Sequence, residues 1–319
     1  LNKDWKVNII REKLKNIKLK NIKKINKASI NSKAIKKNDI FFGIKGKRLN
    51  GNKFADEAIK KKAALAIIEK NYGKKNVKKI KVKNTLKFLS NFSYLIRKTS
   101  NIQTVAITGS TGKTSLKELL GQSLNKINPT IYSNRSYNNK YGVPLSLFNI
   151  NKNFFYGVFE VGMDKKGEID NLTKIIKPDL GVITNVSYAH IKNFKNLSHI
   201  ANAKSEIIKN ILSGGSIILN KDDQYFNFFK NKALKKNLKI ISFSKKISAD
   251  VRYIKTIKSK SKYTLFLSIN KKTIKLRVKE NILSYLDNIL ATVAVISYLV
   301  GLKKIKKNLF YNFKIPSGR

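Results

Sequence analysis

The chain has no cysteine, only two histidines, and 18 acidic residues against 68 lysines and arginines in 319 positions. Without cysteine there is neither a disulfide scaffold nor a thiolate zinc site. Stability must then come from packed cores, and a hydrophobic content of 42% can supply them in a chain that is not of disordered composition. Long apolar runs are also missing. The longest, Ile289 to Val300, is broken by threonine and serine and is too short to span a bilayer. The opening LNKDWKVNIIREKLKNIK is charged and lacks the apolar centre of a secretory signal, so the expectation is a cytoplasmic protein without membrane insertion. Leu1 and the turn-like Pro316-Ser317-Gly318-Arg319 read as cut ends.

The scarcity of acid leaves a net charge of +50. Such a charge ordinarily suggests nucleic acid or an anionic surface as partner. Here lysine is spread over almost every segment, and asparagine and isoleucine are inflated with it, as expected when AT-rich codons drift into tolerant surface positions. The reading is compositional bias, with incidental binding to polyanions and no specific nucleic-acid partner.

At this length two domains are the prior. Residues 1–98 read as a small α/β domain. In it Asp39 opens an apolar strand from Ile40 to Ile44, Phe54, Ala58 and Ile59 share a helix face, and Ala64 to Ile68 is a short buried strand. Residues 99–319 alternate strands at 104–108, 155–161, 180–186 and 216–220 with helices at 114–127, 167–176, 198–212 and 281–300. That alternation predicts a P-loop-type, mostly parallel sheet with helices on both faces, and ligands beyond the carboxyl ends of its strands. Further strands are expected at 238–244, 250–257, 262–269 and 272–278, the last three as an antiparallel meander with a turn at Asn270-Lys271.

The stretch TVAITGSTGKTSLKELLGQSLNK, Thr104 to Lys126, carries the clearest chemistry. A β-branched strand breaks into a glycine turn and continues as a helix with Leu116, Leu119, Leu120 and Leu124 on one face. This is the layout of a phosphate-binding loop, where backbone N–H groups and the helix dipole face an anion. Gly109 and Gly112 let the backbone approach phosphate oxygens. Lys113 would reach the terminal phosphates and Thr114 would ligate Mg²⁺, with Ser110, Thr111 and Ser115 completing an ATP cradle. The alternative is an ordinary turn that contains Gly-Lys-Thr, since Ile107 stands at the first glycine position of the general pattern. Glu160, at the end of FFYGVFE, could hold Mg²⁺ through hard oxygen ligands, and otherwise forms a salt bridge. His190, after the strand LGVITNV, is a candidate for a metal or phosphate, although lone histidines are more often structural. His199 reads as an ordinary residue at a helix start, and Glu206 as a surface residue.

The shorter TGSTGKT form resembles the Mur ligases, ATP-dependent enzymes that add amino acids to the UDP-linked peptidoglycan precursor. The string NN-x-x-GVPL at 138–145, EVGMDKKGEIDNL and AKSEI are similar to the member that joins D-Ala-D-Ala to UDP-MurNAc-tripeptide through an acyl phosphate. The resemblance implies a uridine-nucleotide domain at 1–98, with Ser32, Lys33 and Asn50 as substrate contacts. It also implies an ATP-binding central domain at 99–319 and a C-terminal ligase domain absent from this chain. In the family pattern Asn138 and Asn139 would contact substrate, Lys204 would be a carbamylated lysine that helps position Mg²⁺, and Asn288 would border the adenine. Arg319 would lie near the ATP phosphates. Catalysis would then rest on Lys113, Glu160, His190 and Lys204, with ATP and Mg²⁺ as cofactors, in a monomer. The chain departs from the family at Asn31, Lys33, Asn50, Asn52, Ser284 and Tyr285. Open alternatives are a sibling ligase or folylpolyglutamate synthase, a paralogue that binds ATP without turnover, and a basic P-loop protein that binds nucleic acid.

Overall fold

The computed structural model describes residues 5–13, 22–46, 49–70, 72–74, 76–134, 136–188, 193–260 and 262–314. The chain divides into two units, Leu1–Asn101 with Pro144–Lys152, and Ile102–Val143 with Asn153–Arg319. The excursion of Pro144–Lys152 into the first unit is not announced by the sequence.

In the first unit, α1 (Trp5–Lys13) precedes β1 (Ala28–Ser29), β2 (Ile40–Phe42), α2 (Ala55–Lys60), β3 (Leu65–Ile68), β4 (Lys79–Lys81) and α3 (Thr85–Lys98). The four strands pair in parallel in chain order. β2 and β3 are buried at every position, which is why they read as continuous apolar runs. The helix face expected of Phe54, Ala58 and Ile59 needs correction. Ala55 and Ala58 form the buried face and Ile59 packs, partly buried, against the same core, while Phe54 belongs to the preceding 3-10 turn and is exposed. Alanines let α2 lie close to β3, and a phenyl ring in their place would hold it off.

The second unit contains β5 (Gln103–Thr108), α4 (Lys113–Asn125), β6 (Thr130–Tyr132), α5 (Gly142–Phe148, its residues from 144 belonging to the first unit) and β7 (Tyr156–Glu160). There follow α6 (Glu168–Ile176), β8 (Leu180–Ile183), α7 (Leu197–Lys204), α8 (Glu206–Lys209), β9 (Ser216–Asn220) and α9 (Phe226–Leu234). The unit closes with β10 (Lys239–Ser244), β11 (Val251–Ser259), β12 (Lys262–Ile269), β13 (Lys272–Val278) and α10 (Leu286–Leu299). Nine strands form one sheet in the order β13-β12-β11-β10-β9-β8-β5-β7-β6, parallel from β6 to β11 and antiparallel from β11 to β13. The expected meander is present. Asn270 and Lys271 both have positive φ, 47° and 68°, as a two-residue hairpin turn demands.

α10 packs against α4, β9, β10 and β11, with every residue from Asn288 to Ile296 buried. The helix expected at 281–300 is a 3-10 stretch, Glu280–Tyr285, followed by α10. By length and composition alone Glu280–Leu299 would pass for a membrane span, longer than the apolar run read from sequence, but its burial makes it the core helix of this unit. The helix expected at 198–212 is also interrupted. The Ser205 hydroxyl donates to the Asn202 carbonyl at 2.6 Å, competing with the helical ladder, and α8 starts afresh at Glu206.

That break corrects the surface reading of Glu206. Its side chain is buried, and its two oxygens accept from Gly167 N at 2.7 Å and Asp170 N at 3.1 Å. It thereby caps α6, whose N-cap residue, Gly167, has no side chain to do so. Replacing Glu206 by alanine removes both charge-assisted bonds, and the expected loss is about 2 kcal/mol of stability, read as a lower urea midpoint at unchanged slope.

Candidate active site

Strands β9, β8, β5 and β7 are neighbours whose carboxyl ends lie nearly level, with Ile183 opposite Leu219, Thr108 opposite Ile183 and Ile107 opposite Glu160. From β5 the chain goes first to one side, through β6 and β7, and then to the other, at β8. Such a reversal opens a crevice at the strand ends. Most of the described residues singled out in the second unit lie there.

The turn between β5 and α4 is held from behind by the loop after β8. Ser110 N donates to Asn185 O at 3.0 Å, Thr111 N donates to Asn185 Oδ1 at 3.0 Å, and the Thr184 hydroxyl donates to Thr111 O at 2.7 Å. Ser110 Oγ donates to Ser187 O and accepts from Ser187 N, both at 2.9 Å. Gly109 has φ +151°, and a Cβ there would collide with the Thr184 hydroxyl. Gly112 has φ +77° and starts α4 without any side-chain cap. α6 has Glu206 at its start. Among the described residues no carboxylate does the same for α4, whose first-turn N–H groups lack intrahelical acceptors and face the crevice. Lys113 Nζ donates to Gly109 O at 2.6 Å and to Ser110 O at 3.1 Å, so its ammonium lies over the loop. Asn288, at the start of α10, comes against Gly112, 3.1 Å from where a Cβ would stand.

Among the described residues seven buried side-chain oxygens lack a hydrogen-bond partner, and three of them stand at or beside this loop: Thr108 Oγ1, Thr114 Oγ1 and Glu160 Oε2, of which the last two sit on different elements. Thr114 Oγ1 and Glu160 Oε2 are both buried and both without a hydrogen-bond partner among the described residues. Buried polar atoms are rarely left so, since each costs about 1–3 kcal/mol. A hydroxyl and a carboxylate oxygen are hard donors that suit Mg²⁺, and no cluster of three acidic or histidine side chains competes for a metal among the described residues. The other Glu160 oxygen, Oε1, accepts from Asn138 Nδ2 at 2.8 Å. Asn138 thus orients Glu160. The oxygen of Asn139 accepts from Tyr141 N and Gly142 N, each at 3.0 Å, at the entry to α5.

Lys204 ends α7 and is buried, and its pKa falls from 10.5 to about 7. Burial is the main cause, the positive charge of Lys113 adds to it, and Asp223 opposes both. Lys113 and Lys204 therefore belong to one electrostatic neighbourhood. Asp223 was not singled out in the sequence, nor were Thr184 and Asn185. Asp223 accepts from Val186 N at 2.7 Å and so ties the loop after β9 to the loop after β8. The signal available for all three was position: each follows a parallel strand. The loop after β7, the residues before α7 and α7 itself line an open cavity of about 470 Å³ with Lys165, Lys166, Asn193, Phe194, His199 and Asn202.

In the first unit Ser32 donates to Glu57 at 2.8 Å, Asn50 donates to Tyr72 at 3.1 Å, and Lys33 is exposed on the 3-10 turn capped by Asn31. His190 and Arg319 lie outside the described residues.

Residues 107–296 match the family profile described as Mur ligase middle domain, and 24–95 match that of the Mur ligase family, catalytic domain. The chain is 38% identical over 213 residues to the UDP-N-acetylmuramoyl-tripeptide–D-alanyl-D-alanine ligase of Buchnera aphidicola, covering 66% of this chain and 46% of that protein. It thus spans about half the length of this curated relative. A crystal structure of MurF from Acinetobacter baumannii superposes with a TM-score of 0.81 at 28% identity, covering 93% of this chain and 64% of that one. The MurF ligase of Thermotoga maritima in complex with ADP gives a TM-score of 0.74 at 25% identity, over 86% and 63% of the two chains.

The shifted lysine has a consequence for stability. Between about pH 7 and 10.5 the unfolded chain keeps a proton on Lys204 that the folded chain has released, so this residue makes stability rise with pH in that window. In urea unfolding, Lys204→Met is expected to lose that contribution, which approaches about 1.4 kcal/mol per pH unit in the middle of the window. Identical pH slopes for the two proteins would refute the shift.

Proposed function

The chain belongs to the Mur ligase family, and on that premise we propose that it carries the ATP-binding core of a ligase that joins D-Ala-D-Ala to UDP-MurNAc-tripeptide in peptidoglycan precursor synthesis. The observation that supports the reading best is the pair of unpartnered buried oxygens, Thr114 Oγ1 and Glu160 Oε2, beside an uncapped helix start.

In this reading the terminal carboxylate of the precursor peptide attacks the γ-phosphorus of ATP. The bond to the bridging oxygen breaks, ADP leaves, and an acyl phosphate results. The amine of D-Ala-D-Ala then attacks the acyl carbon, and phosphate departs as the amide forms. No nucleophilic side chain is needed, so this chain's task is positioning and charge. The first-turn N–H groups of α4 hold phosphate oxygens. Lys113 exchanges its loop carbonyls for the phosphates and offsets the charge that gathers there. Thr114 and Glu160 would hold Mg²⁺, which when bound supplies further positive charge to the phosphoryl group. A lysine with a pKa near 7 is largely neutral at physiological pH, and only a neutral amine adds CO₂, so Lys204 is suited to become the carbamate that the family resemblance implies. Asn288 stands against Gly112, and to it we assign the contact at the adenine that the family resemblance implies. Lys165 and Lys166, at the mouth of the cavity, complement an acidic peptide. To the turns with Ser32, Lys33 and Asn50 we assign the uridine-nucleotide end of the precursor, and to His190 and Arg319 a metal and a phosphate contact.

The test is phosphate release by the full-length protein from Mg-ATP with UDP-MurNAc-tripeptide, comparing D-Ala-D-Ala with single amino acids, together with calorimetry of ADP binding. Release is expected to require both the tripeptide and D-Ala-D-Ala, and to fall at least about 10³-fold in Lys113→Ala. A single amino acid serving better would assign a sibling reaction. Failure of the wild type to bind ADP would remove the nucleotide site altogether.

A further inference from the structure

Lys117 is fully buried in a chain whose other lysines are mostly on the surface. It lies one turn beyond Lys113 and Thr114 on α4, so all three share a helix face. Its ammonium donates to Ser133 O and to Glu118 Oε1, both at 2.6 Å. Nothing in the reaction outlined above uses it. A buried ammonium is costly unless its partners are well placed, and here they are on α4 itself and at the end of β6.

Ser133 is itself fully buried and leads in two directions toward Glu160. Ser133 N donates to Val158 O at 3.0 Å, continuing the β6–β7 ladder, and Ser133 Oγ accepts from Glu160 N at 3.4 Å. Five residues on, Asn138 donates to Glu160 Oε1, and its own carbonyl accepts from Gly162 N at 2.8 Å. Gly162 has no side chain to keep the Asn138 amide away. The stretch from Ser133 to Asn138 is therefore bonded to the β7 end at both of its ends, and to α4 at one of them. Lys117 is the bond to α4.

We infer that Lys117 is a positioning residue for the metal ligands: by clamping the Ser133 carbonyl to α4, it sets Glu160, on β7, at the separation from Thr114, on α4, at which both oxygens can serve one Mg²⁺. The two ligands stand on different elements, and Lys117 links α4 to Ser133, which is in turn bonded to the end of β7. Its charge is matched by Glu118 rather than by Glu160, which leaves the Glu160 carboxylate for the cation. Outer groups that orient metal ligands typically change metal affinity by about 10–100-fold when removed.

This inference rests on the reading of Thr114 and Glu160 as magnesium ligands, and the experiment separates the two. ADP binding is followed by calorimetry across a MgCl₂ titration. Wild type is expected to need Mg²⁺ for tight binding, and a flat titration would overturn the site reading and this inference with it. In Lys117→Met the Mg²⁺ concentration for half-maximal binding is expected to rise about 10-fold, while the weak binding of ADP without metal is unchanged. Asn138→Ala should do the same, and the double variant should be no worse than either alone, because both act through the orientation of Glu160. Glu118→Gln, which keeps the bond to Ser133, should shift the midpoint by less than about twofold. If Lys117→Met is too unstable to purify, Lys117→Gln retains an amide donor and should fall between it and wild type. A Lys117 variant that loses stability but keeps the wild-type Mg²⁺ midpoint, or whose effect adds fully to that of Asn138→Ala, would overturn the inference.

Discussion

The second unit depends on how the turn after β5 is held. That turn faces outward, away from the sheet, and a glycine-containing loop would not keep one conformation by itself. Thr184, Asn185 and Ser187, from the next strand's loop, supply its rear wall through side-chain and backbone bonds. Their approach is possible because position 109 lacks a Cβ. With the Thr111 carbonyl and the Ser110 and Thr111 N–H groups committed to this wall, the loop turns the start of α4 to the crevice. Lys113 and Thr114 then have defined positions one residue apart. Preorganisation of this kind matters for a reaction in which the protein contributes positioning and charge rather than a nucleophile.

Three ionisable side chains are buried around that turn, and the structure treats each differently. Lys117 has a carboxylate and a carbonyl for its ammonium. Glu160 has one oxygen satisfied by Asn138 and the other without a partner among the described residues. Lys204 is pushed toward the neutral form by burial beside another cation. A core built for stability alone would favour apolar groups at such places. Glu160 stands at a strand end, where the sheet rule expects ligands, which makes its incomplete satisfaction meaningful.

The excess of positive charge has a simpler account. Lysine can donate but not accept, so wherever a backbone N–H needs an oxygen, substitution by lysine would leave it unsatisfied. Several of the few acids stand at such places. Asp39 accepts from Lys27 N and Lys36 N, Asp179 from Thr104 N, Asp223 from Val186 N, Asp250 from Ser242 N and Glu206 from Gly167 N. Basic residues occupy exposed positions instead, as on the outer face of the meander, where Lys255 and Lys275 both lie over the Phe266 ring at about 5.5 and 5.4 Å. The distribution is that of a fold which tolerates lysine where no acceptor is required.

The strand–turn–helix around Gly109 to Ser115, the alternation of strands and helices, and the turn at Asn270-Lys271 were legible in the sequence because each is a local matter. They follow from side-chain periodicity and from the backbone freedom of a few residues. Glu160 was legible as well, since a carboxylate at the end of an otherwise apolar strand has no local reason to be there. Glu206, Asp223 and Lys117 were not, because nothing within a few residues of them shows what they touch. Glu206 caps a helix that starts 39 residues earlier, and Asp223 holds a loop 37 residues away. By itself, then, the sequence determined the alternation of strands and helices in the second unit and where a phosphate-type loop stands. Only the tertiary structure decided which polar side chains are buried, which are satisfied, and that Thr114 Oγ1 and Glu160 Oε2 are among the oxygens left without partners in the described residues, because burial and hydrogen bonding are settled by neighbours distant along the chain.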